Sequence, residues 1–252
     1  MIFYVYIFET LLIQPVSRRP DMIETAVNQR RNANSESALF KLHGFLALAG
    51  ITAPWLLIGA ELIVPLSFFN YNPVRDSISM LVWAGLGWIQ SATLIISGLL
   101  LEVFAATLLV GVRGVRGFKF GIMLLTLSGF GLLIVGAFPT DFPNFAPTLE
   151  GMIHGVASKT TFLLLPLAIL LIAPSLKKDP NWKPLFGFSI ATAALTVIWI
   201  AIYQWWSPQE LGLFGLYERV LAAIEIIWIE VMAFWLLRLF LRARIQQLAP
   251  SS

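Results

Sequence analysis

Four side chains that could carry protons or bind a metal follow apolar runs at separate points of this 252-residue sequence. Asp141 lies in GAFPTDFP, where Pro139 ends a long run with almost no polar atoms. His154 lies in EGMIHG, while Asp76 and Glu218 lie in YNPVRDSIS and YERV. Carboxylates and imidazoles bind metals and transfer protons when several of them meet in one site. The function of these side chains therefore depends on whether the fold brings the four segments together.

Three kinds of chemistry can be drawn from these residue types. A metal-dependent hydrolase needs about three ligands around an open coordination position. Four side chains could supply them: Asp76, Asp141, His154 and Glu218. Serine catalysis would instead combine Ser77 or Ser79 with His154 and Asp141. Haem bound by two histidines is excluded, because His43 and His154 are expected ~25–30 Å apart on the helix rise. We predict no cofactor and no metal, and we favour a non-catalytic protein over an enzyme.

The elements that must position these side chains are membrane helices. Hydrophobic residues make up 58% of the chain and charged residues 12%, about half the charged fraction of a soluble domain. Such a chain cannot cover its apolar surface in water, and the backbone in lipid must be helical to satisfy its polar groups. The sequence therefore predicts an all-α integral membrane protein with a bundle of six transmembrane helices. The predicted spans are about 42–66, 88–112, 118–138, 151–173, 185–205 and 215–237.

The lysines and arginines predict the orientation of these helices. Fourteen of the 17 fall on one side if six helices alternate, within residues 18–41, 113–119, 177–183 and 238–244. The positive-inside rule then places both termini in the cytoplasm, N-in/C-in. This topological role accounts for the basic residues without nucleic acid as a partner. Around the six-helix domain, 39–243, we expect a flexible cytoplasmic segment with a short apolar stub at 1–38 and a cytoplasmic tail at 244–252.

The connections on the other side hold most of the remaining unusual polar residues, so we expect a polar pocket at the outer face. Its predicted members are Tyr71, Asn72, Arg75, Asp76, Ser77, Ser79, Asp141, His154, Glu218 and Arg219. Five ionisable residues are predicted inside the bundle: Glu61, Glu102, Lys159, Glu225 and Glu230. At ~1.5 Å per residue, Lys159 lies near the depth of Glu225 and could pair with it. By the same count Glu102 and Glu230 lie at one depth, where touching carboxylates would share a proton. These five ionisable residues could line a polar cleft within the bundle, or they could form separate contacts between helices, and both interpretations remain open.

Several of these motifs together resemble one known family. YNPVRDSIS, VGAFPTDFP, the His-Gly at 154–155 and YERV are similar, in this order, to the motifs of the domain of unknown function 998 family, uncharacterised prokaryotic multi-pass membrane proteins. The resemblance covers roughly residues 40–243. It implies about six spans, an outer-face polar site at Asp141 and His154, and a location in the plasma (inner) membrane of a prokaryote. It implies no particular reaction.

The predicted function is that of a membrane protein that binds a lipid or hydrophobic ligand in the outer-face pocket, or that serves as an accessory membrane subunit. A proton- or ion-coupled transporter using the buried acids is the first alternative, and an intramembrane hydrolase is the second. Membrane lipids are the expected partners, with a second copy of the chain or a membrane complex as further candidates. Because Asp141 is expected over the mouth of the bundle, Asp141→Asn should harm folding or ligand retention more than Asp179→Asn.

Overall fold

A computed structural model describes residues 46–143, 145–206 and 208–248 of the chain. Within these ranges the backbone forms helices and their connections, and none of the residues described is in a strand. The predicted N-terminal segment 1–38 with its apolar stub lies outside the described residues, and so do His43 and positions 249–252 of the predicted tail.

Six helices in the described ranges are long and apolar enough to cross a membrane. Helix α1 covers 46–63 and continues into a 3₁₀ turn, Val64–Ser67; the others are α2, Gly87–Gly111, α3, Phe118–Ala137, α4, Leu149–Lys178, α5, Leu185–Trp206, and α6, Phe214–Leu248. A second 3₁₀ helix, Ile78–Trp83, lies between α1 and α2. The predicted all-α fold with six membrane-spanning helices is confirmed. Helices α4 and α6 run five and eleven residues past their predicted ends, because the lysines and arginines there are good helix formers.

Glycines allow the helices of the bundle to pack closely. A Cβ added at Gly98 of α2 would lie 2.6 Å from the carbonyl oxygen of Gly129 in α3, so only glycine permits this approach. Helix α1 packs against α2 and α6, since a Cβ at Gly50 would meet both Phe104 and Ala233. All six helices contribute to one apolar core, whose largest buried side chains include Phe104, Leu125, Ile169 and Trp228.

The connections divide between the two ends of the bundle. We call the end formed by 68–86, 138–148 and 208–213 the Arg219 end. The end formed by 112–117 and 179–184 is the Asp179 end. All the motifs that carry the predicted polar pocket lie at or next to the Arg219 end, as expected for alternating helices.

A buried carboxylate joins the two connections of the Asp179 end. Asp179 is only 3% exposed, and its Oδ2 accepts a hydrogen bond from the backbone N–H of Arg113 at 3.0 Å. Its Oδ1 accepts from the backbone N–H of Asn181 at 2.9 Å. The indole of Trp182 donates to the carbonyl of Gly111 at 3.0 Å, which adds a second link between the same connections. Asp179 is therefore a structural centre of this end of the bundle.

Candidate functional site

The connection between α1 and α2 docks on the first turn of α6. The backbone N–H groups of Gly215 and Leu216 donate to the carbonyls of Arg75 and Val74 at 3.2 and 2.9 Å. A Cβ at Gly215 would lie 2.6 Å from the carbonyl oxygen of Pro73, so this position requires glycine. Helix N-termini leave backbone donors without partners inside the helix, and here the connection supplies the acceptors. The contact brings the motifs YNPVRDSIS and YERV together.

Arg219 is the centre of this junction. Its Nη1 donates to the carbonyls of Pro73 and Asp76 at 2.7 and 3.0 Å and to its own helix at Gly215. Its Nε and Nη2 lie 3.0 and 2.9 Å from the same carboxylate oxygen of Glu61 in α1. Nη2 also donates to the Tyr71 hydroxyl. One guanidinium thus ties together α1, the α1–α2 connection and α6, and every nitrogen in its head group has an acceptor.

Tyr71 packs under the guanidinium and stays neutral. Its ring centroid lies 5.6 Å from the Arg219 Cζ atom, and its hydroxyl donates to the Ser77 carbonyl at 2.9 Å. Burial raises the pKa of Tyr71 to about 12, although the charge of Arg219 opposes this rise. The hydroxyl is therefore a fixed donor at neutral pH and strengthens the turn in which it lies.

Arg75 and Asp76 form an ion pair at the water-facing edge of the junction. Arg75 Nε lies 2.7 Å from Asp76 Oδ1, and the Arg75 side chain is 59% exposed. The hydrogen bond from Arg75 lowers the pKa of Asp76, and the backbone N–H of Asn72 also donates to this carboxylate at 2.9 Å. Asn72 Oδ1 in turn accepts from the backbone N–H of Val74. These polar residues stabilise a turn, and exposed pairs of this kind contribute little to stability.

Glu218 and Ser77 together begin the 3₁₀ helix Ile78–Trp83. Glu218 Oε2 accepts from the backbone N–H of Ile78 at 2.7 Å, and Ser77 Oγ accepts from that of Met80 at 3.2 Å. Free backbone donors at a helix start are commonly satisfied by such oxygens. Glu218 therefore fixes the short helix to α6.

His154 contacts the same short helix from α4. Its Nε2 lies 2.9 Å from Ser79 Oγ, and its Nδ1 lies 2.7 Å from the carbonyl oxygen of Phe138. A carbonyl only accepts hydrogen bonds, so Nδ1 carries a proton and, in the neutral ring, Nε2 accepts the proton of the Ser79 hydroxyl. His154 is 5% exposed and sits behind the serine.

Asp141 positions Thr148, the N-cap residue of α4, and none of the hydrogen bonds of the described residues joins Asp141 to Arg75 or Arg219. Its Oδ1 accepts from the backbone N–H and the hydroxyl of Thr148, at 3.1 and 2.6 Å. Thr148 Oγ1 accepts from the N–H of Gly151, as expected for an N-cap. The segment GAFPTDFP after α3 therefore organises the start of α4, in which His154 lies six residues after the N-cap Thr148.

A cavity of about 480 Å³ lies between α1, α2, α3, α4 and α6 below the 3₁₀ helix Ile78–Trp83. Its wall is mainly apolar but includes nine polar residues: Glu61, Ser79, Gln90, Ser128, Ser158, Thr161, Glu218, Arg219 and Glu225. Five buried side-chain oxygens among the residues described have no hydrogen-bond partner in the protein. Four of them belong to residues that line this cavity: Glu61 Oε1, Gln90 Oε1, Thr161 Oγ1 and Glu225 Oε1.

The predicted pairs of ionisable residues within the bundle are not formed. Lys159 is exposed, whereas Glu225 is 4% exposed, and no ion pair of the described side chains joins them. The prediction that Lys159 is buried is wrong, because it lies on the outer surface of α4. Glu230 Oε1 accepts from the indole of Trp55 at 3.1 Å, while Glu102 packs against Gly129 in α3. Depth along a helix does not fix the direction of a side chain, and these residues point to different neighbours.

The four predicted metal ligands also remain apart in their contacts. Asp76 accepts a hydrogen bond from the backbone of its own turn at Asn72, and Asp141 accepts one from Thr148 at the start of α4. His154 contacts Ser79, and Glu218 accepts from the backbone N–H of Ile78 at the start of the 3₁₀ helix. Within the described ranges, no group of three or more His, Cys, Asp or Glu side chains is placed to hold a metal ion. The arrangement favours hydrogen bonding and serine chemistry over a shared metal.

Residues 45–235 match the family described as Protein of unknown function (DUF998). The chain belongs to this family. The match reaches all six helices and confirms the resemblance carried by the four motifs, which the fold gathers at or next to the Arg219 end. No curated protein and no solved structure matches the chain.

In this DUF998 member, sequence reasoning missed four polar side chains of the cavity wall: Gln90, Ser128, Ser158 and Thr161. Gln90 is 1% exposed, and Thr161 is also buried. Gln90 lies with Ser91 and Thr93 in GWIQSATLII, and Thr161 follows Lys159 and Thr160 in KTTFLLL, so each belongs to a short polar group inside an apolar run. Because a polar group inside a membrane helix is costly unless it has a partner, these interruptions were a signal available from the sequence alone.

Proposed function

We propose that this membrane protein binds an amphipathic molecule, a lipid or another hydrophobic ligand with a polar group, in the cavity between α1–α4 and α6. The observation that carries the proposal is that four of the residues lining one cavity each have a buried oxygen without a hydrogen-bond partner in the protein. Buried polar groups are nearly always hydrogen-bonded, and leaving one without a partner costs about 1–3 kcal/mol. A ligand in the cavity would supply the missing partners.

The dimensions and the wall of the cavity support a ligand of mixed character. About 480 Å³ is within the size range of small-molecule sites, which are mostly apolar with a few placed polar groups. Leu94, Leu101, Val135 and Leu165 form part of the apolar wall. An acyl chain or another hydrocarbon group would bury its surface there, at roughly 25 cal/mol for each Å² removed from water.

The polar atoms of the wall favour a ligand that donates hydrogen bonds. Glu61, Gln90 and Glu225 each present an unpartnered oxygen that accepts, and the nitrogens of Arg219 already have acceptors. A hydroxyl-rich or ammonium group would complement these oxygens, whereas a phosphate would find no free donor on Arg219. We therefore propose a head group that carries hydroxyls or an amine.

Exposure of the wall supports entry from the lipid phase between α1 and α6. Four residues that line the cavity are exposed, and all four belong to these two helices: Ile58, Leu62, Ala223 and Ile227. A lipid or hydrophobic ligand could pass between them without crossing water. Membrane lipids are accordingly the partners that we propose.

Glu225→Leu is expected to weaken the binding of the co-purified ligand by up to about tenfold, because one hydrogen bond contributes ~0.5–1.5 kcal/mol. Native mass spectrometry of the full chain, released from detergent micelles, measures the fraction of protein that carries a ligand. Glu102→Leu is the matched control, because Glu102 lies within α2 and is not among the residues that line the cavity. Equal occupancy in the two variants would contradict the proposed site.

We also propose that both termini are cytoplasmic and that the Arg219 end faces outward, in the plasma membrane of a prokaryote. The distribution of lysine and arginine supports this orientation. The chain has no cysteine, so single cysteines can report the exposed positions. Phe145→Cys should react with a membrane-impermeant maleimide in intact cells, whereas Lys183→Cys should react only after the cells are opened. The opposite pattern would invert the topology.

A proton or ion relay has less support than ligand binding. Lys159 lies on the surface, and Glu102 and Glu230 make separate contacts. Glu61, Glu218 and Glu225 do line one cavity, but Glu61 and Glu218 have partners of their own in Arg219 and the backbone of Ile78. These contacts are those of a binding site with fixed walls.

A further inference from the structure

We propose that Ser79 and His154 form a nucleophile and base that hydrolyse an ester bond of a molecule held in the cavity. This inference rests on the proposed function, since it needs an occupant of that cavity. Ser79 lines the cavity, and its hydroxyl lies 2.9 Å from His154 Nε2.

The environment of His154 sets the imidazole in the form that a base requires. Nδ1 lies 2.7 Å from the carbonyl of Phe138, which holds the proton on that nitrogen and leaves the lone pair of Nε2 facing Ser79. In serine hydrolases a third group orients the base in the same sense. Here the third group is a backbone carbonyl at the end of α3, so Asp141 is not needed in that role.

The serine faces the cavity that would hold the substrate, and its base lies on the side of the serine away from that cavity. Ser79 is part of the cavity wall, whereas His154 is buried behind it and is not a lining residue. An ester carbonyl in the cavity would therefore meet the hydroxyl first. Two other serines line the cavity and lack this arrangement. Ser128 donates to the Leu124 carbonyl of its own helix. Among the hydrogen bonds of the described residues, none joins Ser158 to a histidine.

The reaction balances with water as the second substrate. Ser79 Oγ attacks the ester carbonyl carbon while its proton moves to His154 Nε2. The tetrahedral intermediate collapses, the bond to the alkoxy oxygen breaks, and the leaving alcohol takes the proton from Nε2. Water then attacks the acyl-serine, with Nε2 accepting its proton. The acid is released and the serine recovers its hydrogen.

The substrate class follows from the cavity wall. The apolar residues suit the hydrocarbon part of an ester, and the unpartnered oxygens of Gln90, Thr161 and Glu225 suit hydroxyl or amine groups on the other part. The geometry thus points to an acyl ester of a hydroxylated or amine-bearing molecule that enters from the bilayer.

The test uses the full chain in lipid nanodiscs and an alkyl fluorophosphonate, which phosphonylates activated serines. We expect one covalent adduct, located at Ser79 by peptide mass spectrometry and absent from Ser79→Ala. His154→Gln should slow labelling at least about 100-fold, because a positioned base contributes typically 10²–10⁴-fold. Glutamine can still bond to the hydroxyl and the carbonyl, so this variant keeps the structural contacts but lacks the base. Ser91→Ala is the control, because Ser91 lies on α2 and does not line the cavity, and it should label like the wild type.

The outcomes separate this inference from the proposed function. No adduct at Ser79 in a wild-type protein that retains its ligand would overturn the inference and leave ligand binding intact. Equal labelling of the wild type and His154→Gln would also overturn it, since the serine would then be reactive without its base. Labelling at Ser79 together with unchanged ligand occupancy in Glu225→Leu would instead contradict the proposed binding site.

Discussion

Replacing Arg219 with alanine is expected to lower the free energy of unfolding by ~3 kcal/mol, the lower end of the cost of removing one partner from a buried ion pair, because the Arg219 and Glu61 side chains are 21% and 22% exposed. The change would leave the Glu61 carboxylate without its cation inside the bundle. It would also leave the carbonyls of Pro73 and Asp76 without a donor where α6 meets the α1–α2 connection. Equilibrium unfolding in mixed detergent micelles measures the difference.

Arg75→Ala is the control for this prediction, because Arg75 lies in the same connection and pairs with a carboxylate at the exposed edge. Its loss should cost about 0–1 kcal/mol. Arg219→Lys should recover only part of the stability, since an ammonium group cannot reproduce the planar set of donors. If Arg219→Ala were no more destabilising than Arg75→Ala, the central role of Arg219 would be refuted.

Asp179→Ala is expected to cost about 3 kcal/mol, because it leaves two backbone N–H groups without their acceptor. One of them, at Arg113, belongs to the other connection of the Asp179 end, so the link between the two connections is lost. Asp141→Ala should cost only ~1 kcal/mol, the typical contribution of a helix cap. Asp141 is less buried than Asp179, and Thr148 retains its own cap on Gly151.

This order reverses the one that the sequence suggested. The same unfolding measurement on both alanine variants tests it, with Asp76→Ala as a further partly buried carboxylate for comparison. A larger loss for Asp141→Ala than for Asp179→Ala would show that the α3–α4 connection matters more to the fold than the Asp179 end.

The six helices could be predicted because lipid leaves few alternatives. A run of about 20 apolar residues must be helical in a bilayer, and Pro139 and the loop motifs limited where α3 ends. The motifs also indicated that Tyr71, Asp76, Glu218 and Arg219 would lie at one end. What the motifs could not give was the specific acceptor of each donor, which depends on how α1, α4 and α6 rotate about their axes.

The internal acids show the same limit more clearly. The rise along a helix gave the depth of Lys159 and Glu225 but not the direction of either side chain. A rotation of ~100° per residue decides whether a side chain faces the bundle or the lipid. The importance of Asp179 was missed for another reason. SLKKDPNWKP has the composition of an ordinary solvated turn, and the aspartate is buried only because Arg113 approaches it from another connection.

The two side-chain links between α1 and α6 have a consequence for the width of whatever enters between these helices. Glu61 is bonded to Arg219, and Trp55 is bonded to Glu230. Six residues separate the two link positions on α1, a span of about 9 Å. We expect a single extended hydrocarbon tail to pass between the two links more readily than two tails side by side, which would have to break one of the links. The bundle would then select among membrane amphiphiles by the cross-section of their hydrocarbon part, before the head group contacts the polar residues of the cavity.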